Sequence, residues 1–116
     1  MRDPTEEHLD IQVINLTRNN FGELRKNIFN NAKLLNLQRI FLRKAGLESI
    51  DKLAFNRLAN LIELDLSWNT LRSIPSDSFE SIVNLRTLDL SSNQIDVLEA
   101  SSFRHLQKLK KLYLER

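Results

Sequence analysis

The chain has 116 residues, 41% hydrophobic and 28% charged, with 17 Lys+Arg against 15 Asp+Glu. That is an ordinary globular mix, which excludes a disordered polymer, and a net charge of +2 does not make nucleic acid a default partner. Zero cysteines exclude disulfides, thiolate metal sites and a cysteine nucleophile in the chain.

In chain order, residues 1–10 form a polar lead, read as a partial N-terminal cap. Met1 is followed by Arg2-Asp3-Pro4-Thr5-Glu6-Glu7, which has no apolar stretch, so no signal peptide is expected there. From Ile11 onward the chain repeats itself. Ile11-x-x-Ile14-x-Leu16 recurs as Leu37-x-x-Ile40-x-Leu42, Leu61-x-x-Leu64-x-Leu66, Leu85-x-x-Leu88-x-Leu90 and Leu109-x-x-Leu112-x-Leu114, at spacings of 26, 24, 24 and 24 residues. Further apolar slots follow in each unit: Phe21, Leu47, Leu71 and Ile95; Leu24, Ile50, Ile74 and Leu98; Phe29, Phe55, Phe79 and Phe103; then Leu58, Ile82 and Leu106. The first unit departs at the last slot, where Ala32 stands, with Leu34 or Leu35 available around a two-residue insertion. The units are therefore 11–36, 37–60, 61–84, 85–108 and a partial 109–116. Within each, apolar-x-apolar alternation predicts a short strand. The Phe-centred segment is too short for a long helix and predicts irregular or 3₁₀ turns.

These residues resemble the leucine-rich repeat family, L-x-x-L-x-L-x-x-N-x-L, over about Ile11 to Leu114, with Asn19, Asn69 and Asn93 in the Asn slot. The resemblance implies an α/β-type solenoid, with a curved parallel β-sheet on the concave face and short turns or 3₁₀ segments on the convex face. It also implies an asparagine ladder, with Ala45 as a missing rung to be made good by water or backbone. One Phe per 24-residue unit is similar to the Phe-spine type of extracellular animal receptors and adhesion proteins, so the expected location is extracellular or cell surface, as part of a longer protein. A cytosolic scaffold is the alternative.

Function is expected on the outward positions of the strands. These are Val13, Asn15 and Thr17; Arg39, Phe41 and Arg43; Glu63, Asp65 and Ser67; Thr87, Asp89 and Ser91; Lys111, Tyr113 and Glu115. Lys44 and Trp68 stand one step further on. Arg39, Phe41 and Arg43, with Lys44 beside them, depart most from the family's pattern and combine residue types enriched in binding hot spots. With Glu63, Asp65 and Tyr113 they make up the expected partner-binding set, the partner being another protein. Trp68 is read as structural or incidental.

Asp65 and Asp89 sit at equivalent positions of neighbouring strands, but no base, nucleophile or metal completes a catalytic set. No catalytic residue, cofactor or metal is expected, and His8 and His105 form no ligand-spaced cluster. No run approaches the roughly 18–20 apolar residues of a membrane span. Arg104, His105, Lys108, Lys110 and Lys111 alternate with Leu106 and Leu109 and read as a solvated basic face rather than a polyanion site. Asn15-Leu16-Thr17 is a glycosylation sequon, which makes Asn15 a candidate site. With no cysteine-rich cap and a last strand that has no following turn, the chain is expected to be a fragment that self-associates through its C-terminal strand. The leading functional expectation is a protein-interaction module; the runner-up is a structural spacer within a longer ectodomain.

Overall fold

The computed structural model describes residues 10–116. Apart from Asp10, the expected polar lead lies outside the described residues. Strands β1 (Val13–Asn15) and β2 (Gly22–Leu24) precede a single helical turn, α1 (Ile28–Asn31). Then come β3 (Arg39–Phe41), β4 (Leu47–Ile50), β5 (Glu63–Asp65), β6 (Thr87–Asp89) and β7 (Lys111–Tyr113), with 3₁₀ turns at Ser76–Ser81 and Ala100–Phe103.

Strands β1, β3, β5, β6 and β7 form one parallel sheet in chain order. Their register runs Ile14, Ile40, Leu64, Leu88, Leu112, the central residues of the repeated motif. Period-two alternation sends these side chains inward and the flanking residues outward. Leu37, Ile40, Leu42, Leu61, Leu64, Leu66, Leu85 and Leu88 are wholly buried. At roughly 25 cal/mol per Å² of apolar surface, this continuous column is the main source of stability. Behind it the phenylalanines stack in two pairs, Phe29 on Phe55 at 6.2 Å and Phe79 on Phe103 at 6.3 Å between centroids.

The missing apolar slot of the first unit is filled by Leu34, which is buried, while Ala32 is exposed. The two-residue insertion thus carries the slot with it. Leu98 does not behave as its slot expects. Whereas Leu24 and Ile74 are buried and Ile50 half-buried, Leu98 is 61% exposed. In earlier units that position is covered by the unit that follows, and here the following unit stops at β7. The convex side also departs from an all-turn reading, because β2 and β4 pair in parallel as a second, two-stranded sheet.

That second sheet has a local cause. Asn69 builds a complete rung: its Oδ1 accepts from the Ala45 and Leu47 amides at 2.9 and 3.0 Å, and its Nδ2 donates to the Leu42 and Leu66 carbonyls, both at 2.9 Å. Asn93 repeats the pattern toward Leu71 and Leu66. Ala45 has no side chain to do this for the first unit. There the backbone takes over, with the Phe21 amide donating to the Ala45 carbonyl at 2.9 Å and the Gly22 amide to the Gly46 carbonyl at 3.1 Å. In later units the corresponding bonds point the other way, from Thr70 to Leu47 and from Gln94 to Leu71. Gly46 has φ +65°, which favours glycine, and a Cβ there would meet the Asn20 side chain, which would have to shift.

Candidate functional site

The concave face carries two outward rows. One runs Val13, Arg39, Glu63, Thr87, Lys111 and the other Asn15, Phe41, Asp65, Asp89, Tyr113. The Arg39 Nε lies 3.6 Å from Glu63 Oε1 across the strand pair. That distance gives charge attraction but no hydrogen bond, and the Nε, though buried, has no other partner. Exposed pairs of this kind are worth about 0.2–1 kcal/mol. Arg39 is thus partly neutralised in place.

Phe41 is half-buried rather than fully solvent-facing, so the expected bare aromatic is softened. Nor do Arg39 and Arg43 flank it as a matched pair. Strand β3 ends at Phe41, and Arg43 lies beyond it with its guanidinium carbon 5.6 Å from the centroid of the Trp68 ring. The Lys44 ammonium approaches the same ring to 5.2 Å. Trp68 is 51% exposed. Each such cation–π contact contributes about 0.5–1 kcal/mol at an exposed site.

Backbone geometry explains why these side chains meet. Arg18, Lys44, Trp68 and Ser92 occupy the same position in successive units, and all four are left-handed, with φ between 53° and 65°. For a residue with a Cβ that conformation costs roughly 1 kcal/mol. It is held by amide-to-carbonyl bonds into the next unit: Arg18 to Arg43, Lys44 to Ser67 and Trp68 to Ser91, at 2.9 to 3.1 Å. The result is a ridge along the C-terminal ends of the concave strands, on which Lys44 and Trp68 are neighbours. Sequence reasoning set Trp68 aside as a single residue. The repeat register, which places positions 44 and 68 on adjacent strands, was the signal that could have found it.

Asp65 and Asp89 have a structural use. Each Oδ1 accepts from the amide two residues on, Ser67 and Ser91, both at 2.9 Å, and so closes the turn out of its strand. Asn15 does the same for Thr17 at 3.0 Å. Asn15 is exposed on β1, beside Phe41 in register, so the sequon lies on the concave face. Tyr113 is 45% exposed on β7, three strands away from Phe41. The structure therefore brings Arg43, Lys44 and Trp68 together, pairs Arg39 with Glu63, and leaves Tyr113 apart. In the basic run, Arg104 contacts Asp77 at 3.4 Å and Lys108 donates to Asn84 at 2.9 Å, as on a solvated face.

A family model for leucine rich repeats matches residues 35–95 and 83–116. The chain belongs to the leucine-rich repeat family. No curated protein matches it at a significant level. Among solved structures, a chain in a crystal structure of a TLR13-ssRNA13 complex is similar, with a TM-score of 0.83 and 30% sequence identity over 91% of this chain. The match spans 15% of that other chain's length. The leucine-rich repeat family implies a protein-interaction module. Among the described residues no helix is long and apolar enough to cross a membrane.

Proposed function

We propose that the concave face of this leucine-rich repeat chain binds another protein, and that the chain is part of a cell-surface or secreted receptor or adhesion protein. The observation that carries the binding face is the exposed Trp68 with the cations of Arg43 and Lys44 against it, on the same open sheet as half-buried Phe41. Aromatic and arginine side chains supply most hot-spot energy in protein interfaces, and here Arg43 and Trp68 already lie against one another. Arg39, Glu63 and Asp65 extend the contact area across β3 and β5, and Tyr113 marks its far limit. The Phe-spine repeat type and the similarity to the TLR13 chain support the receptor reading, and Asn15 is its candidate glycosylation site.

The test is a binding screen against secreted and ectodomain proteins, followed by affinity measurements with any partner found. Phe41→Ala and Arg43→Glu, each checked for an unchanged circular dichroism spectrum, are expected to weaken binding at least about tenfold, the scale of an interface hot spot. Unchanged affinity in both variants would instead favour the spacer reading.

A further inference from the structure

We infer that the ridge at the C-terminal ends of strands β1, β3 and β5 recognises an acidic segment of the partner protein. The proposal rests on the concave-face reading and specifies the chemistry of its partner. Arg18, Arg43 and Lys44 are exposed on this ridge. Among the described residues, Arg43 and Lys44 meet the π face of Trp68, which attracts a cation without cancelling its charge. None of the three forms an ion pair with a carboxylate among the described residues. The Asn slot and the two residues before it read Thr17-Arg18-Asn19, Arg43-Lys44-Ala45, Ser67-Trp68-Asn69 and Ser91-Ser92-Asn93 in the first four units, with no Asp or Glu, and the carboxylates of Asp65 and Asp89 at the strand ends accept from the amides of Ser67 and Ser91. The backbone positions that carry Arg18 and Lys44 are fixed in spacing, because the left-handed backbone at both is bonded directly into the next unit. Such a ridge is complementary to carboxylates presented at strand-like intervals, with Trp68 offering an apolar face to a side chain between them.

An oligonucleotide would also value cations beside an exposed tryptophan. The rest of the face argues against it. Asp65 and Asp89 end β5 and β6, immediately before the ridge, and Glu63 begins β5 two residues ahead of Asp65. A phosphate backbone carries one sign of charge along its whole length and would be repelled there. A polypeptide can be acidic over the ridge and basic over the neighbouring carboxylates, so a face of two signs selects a protein.

Trp68 is the only tryptophan of the chain, so its indole resonance and fluorescence report this ridge alone. The full chain, ¹⁵N-labelled, is titrated with a short peptide of Glu and Asp around one Phe and ending in Lys. In parallel it is titrated with the Gln and Asn version of that peptide, and with oligouridine RNA of similar length. The acidic peptide is expected to shift the Trp68 indole and the Arg43 and Lys44 amides. The Arg43→Gln and Lys44→Gln variants should each weaken it by roughly two- to fivefold, the scale of an exposed ion pair. Trp68→Ala should weaken it without changing its dependence on salt, whereas the lysine and arginine variants reduce that dependence. Equal binding by the neutral peptide, tighter binding by oligouridine, shifts confined to Arg104–Lys111, or no binding of the acidic peptide would each overturn the proposal. A partner from the screen that is lost with Phe41→Ala but indifferent to Arg43→Gln and Lys44→Gln would leave the concave face standing and remove only the acidic assignment.

Discussion

Asn19, Asn69 and Asn93 share one slot and one side chain, yet they carry different loads. The Asn69 amide is buried and serves two backbone N–H groups and three carbonyls across two adjacent units. Asn19 is exposed and donates to the carbonyl of Leu16 in its own unit at 2.8 Å. Stranding a buried donor costs about 1–3 kcal/mol, while an exposed one turns to water. Asn69→Ala is therefore expected to lower unfolding free energy by about 3 kcal/mol and Asn19→Ala by less than about 1 kcal/mol, measured by urea denaturation with matched m-values. Comparable losses would mean that the ladder is not what joins these units. The slot itself was legible in the sequence, because Asn recurs at a fixed distance from the apolar triplet. Its unequal importance was not, since burial depends on how many units lie on either side.

At the scale of the element, the five concave strands and their register followed from periodicity alone, because a spacing of 24 or 26 residues with an inward centre leaves one alignment in which every apolar triplet faces the core. The second sheet was not legible, because it arises from an absence. With Ala45 in the Asn slot, the first two units are joined by backbone, and β2 and β4 continue that pairing outward. The consequence runs against the usual benefit of restoring a consensus residue. Ala45 is wholly buried, and its carbonyl already accepts from Phe21, so an asparagine there would compete for groups that are taken and overfill the space. Ala45→Asn is expected to destabilise by about 1–3 kcal/mol, with faster amide exchange across Gly22–Leu24. A higher melting temperature would show that the backbone pairing is a weaker substitute for the rung. The cation–π ridge was only half legible: the repeat register aligns Lys44 with Trp68, but the left-handed backbone that turns both side chains onto one ridge carries no glycine or asparagine to announce it.

For the whole molecule, a solenoid turns every unit into a surface for its neighbour, so in the 116-residue chain the edge at β7 is a surface of the same kind. Leu98, Val97, Leu112 and Tyr113 are 61%, 57%, 38% and 45% exposed around it. An apolar edge with unpaired backbone groups favours pairing with a second copy, and a two-fold dimer would set the two β7 strands antiparallel. Lys110, Lys111 and Arg116 oppose this, since the pairing would bring two basic edges together. The balance of the two effects fixes the sign of the salt dependence. Screening shortens the reach of the cations to about 3 Å at 1 M salt and leaves apolar burial intact. Light scattering of the chain is therefore expected to show association that rises with both protein concentration and salt, the reverse of acidic-peptide binding at the Trp68 ridge, which salt weakens. Leu98→Lys should suppress the association and leave the ridge unaffected, because the two lie at different places on the solenoid. A mass that stays monomeric at high concentration and high salt would show that the lysines, rather than the exposed leucines, decide the behaviour of this edge.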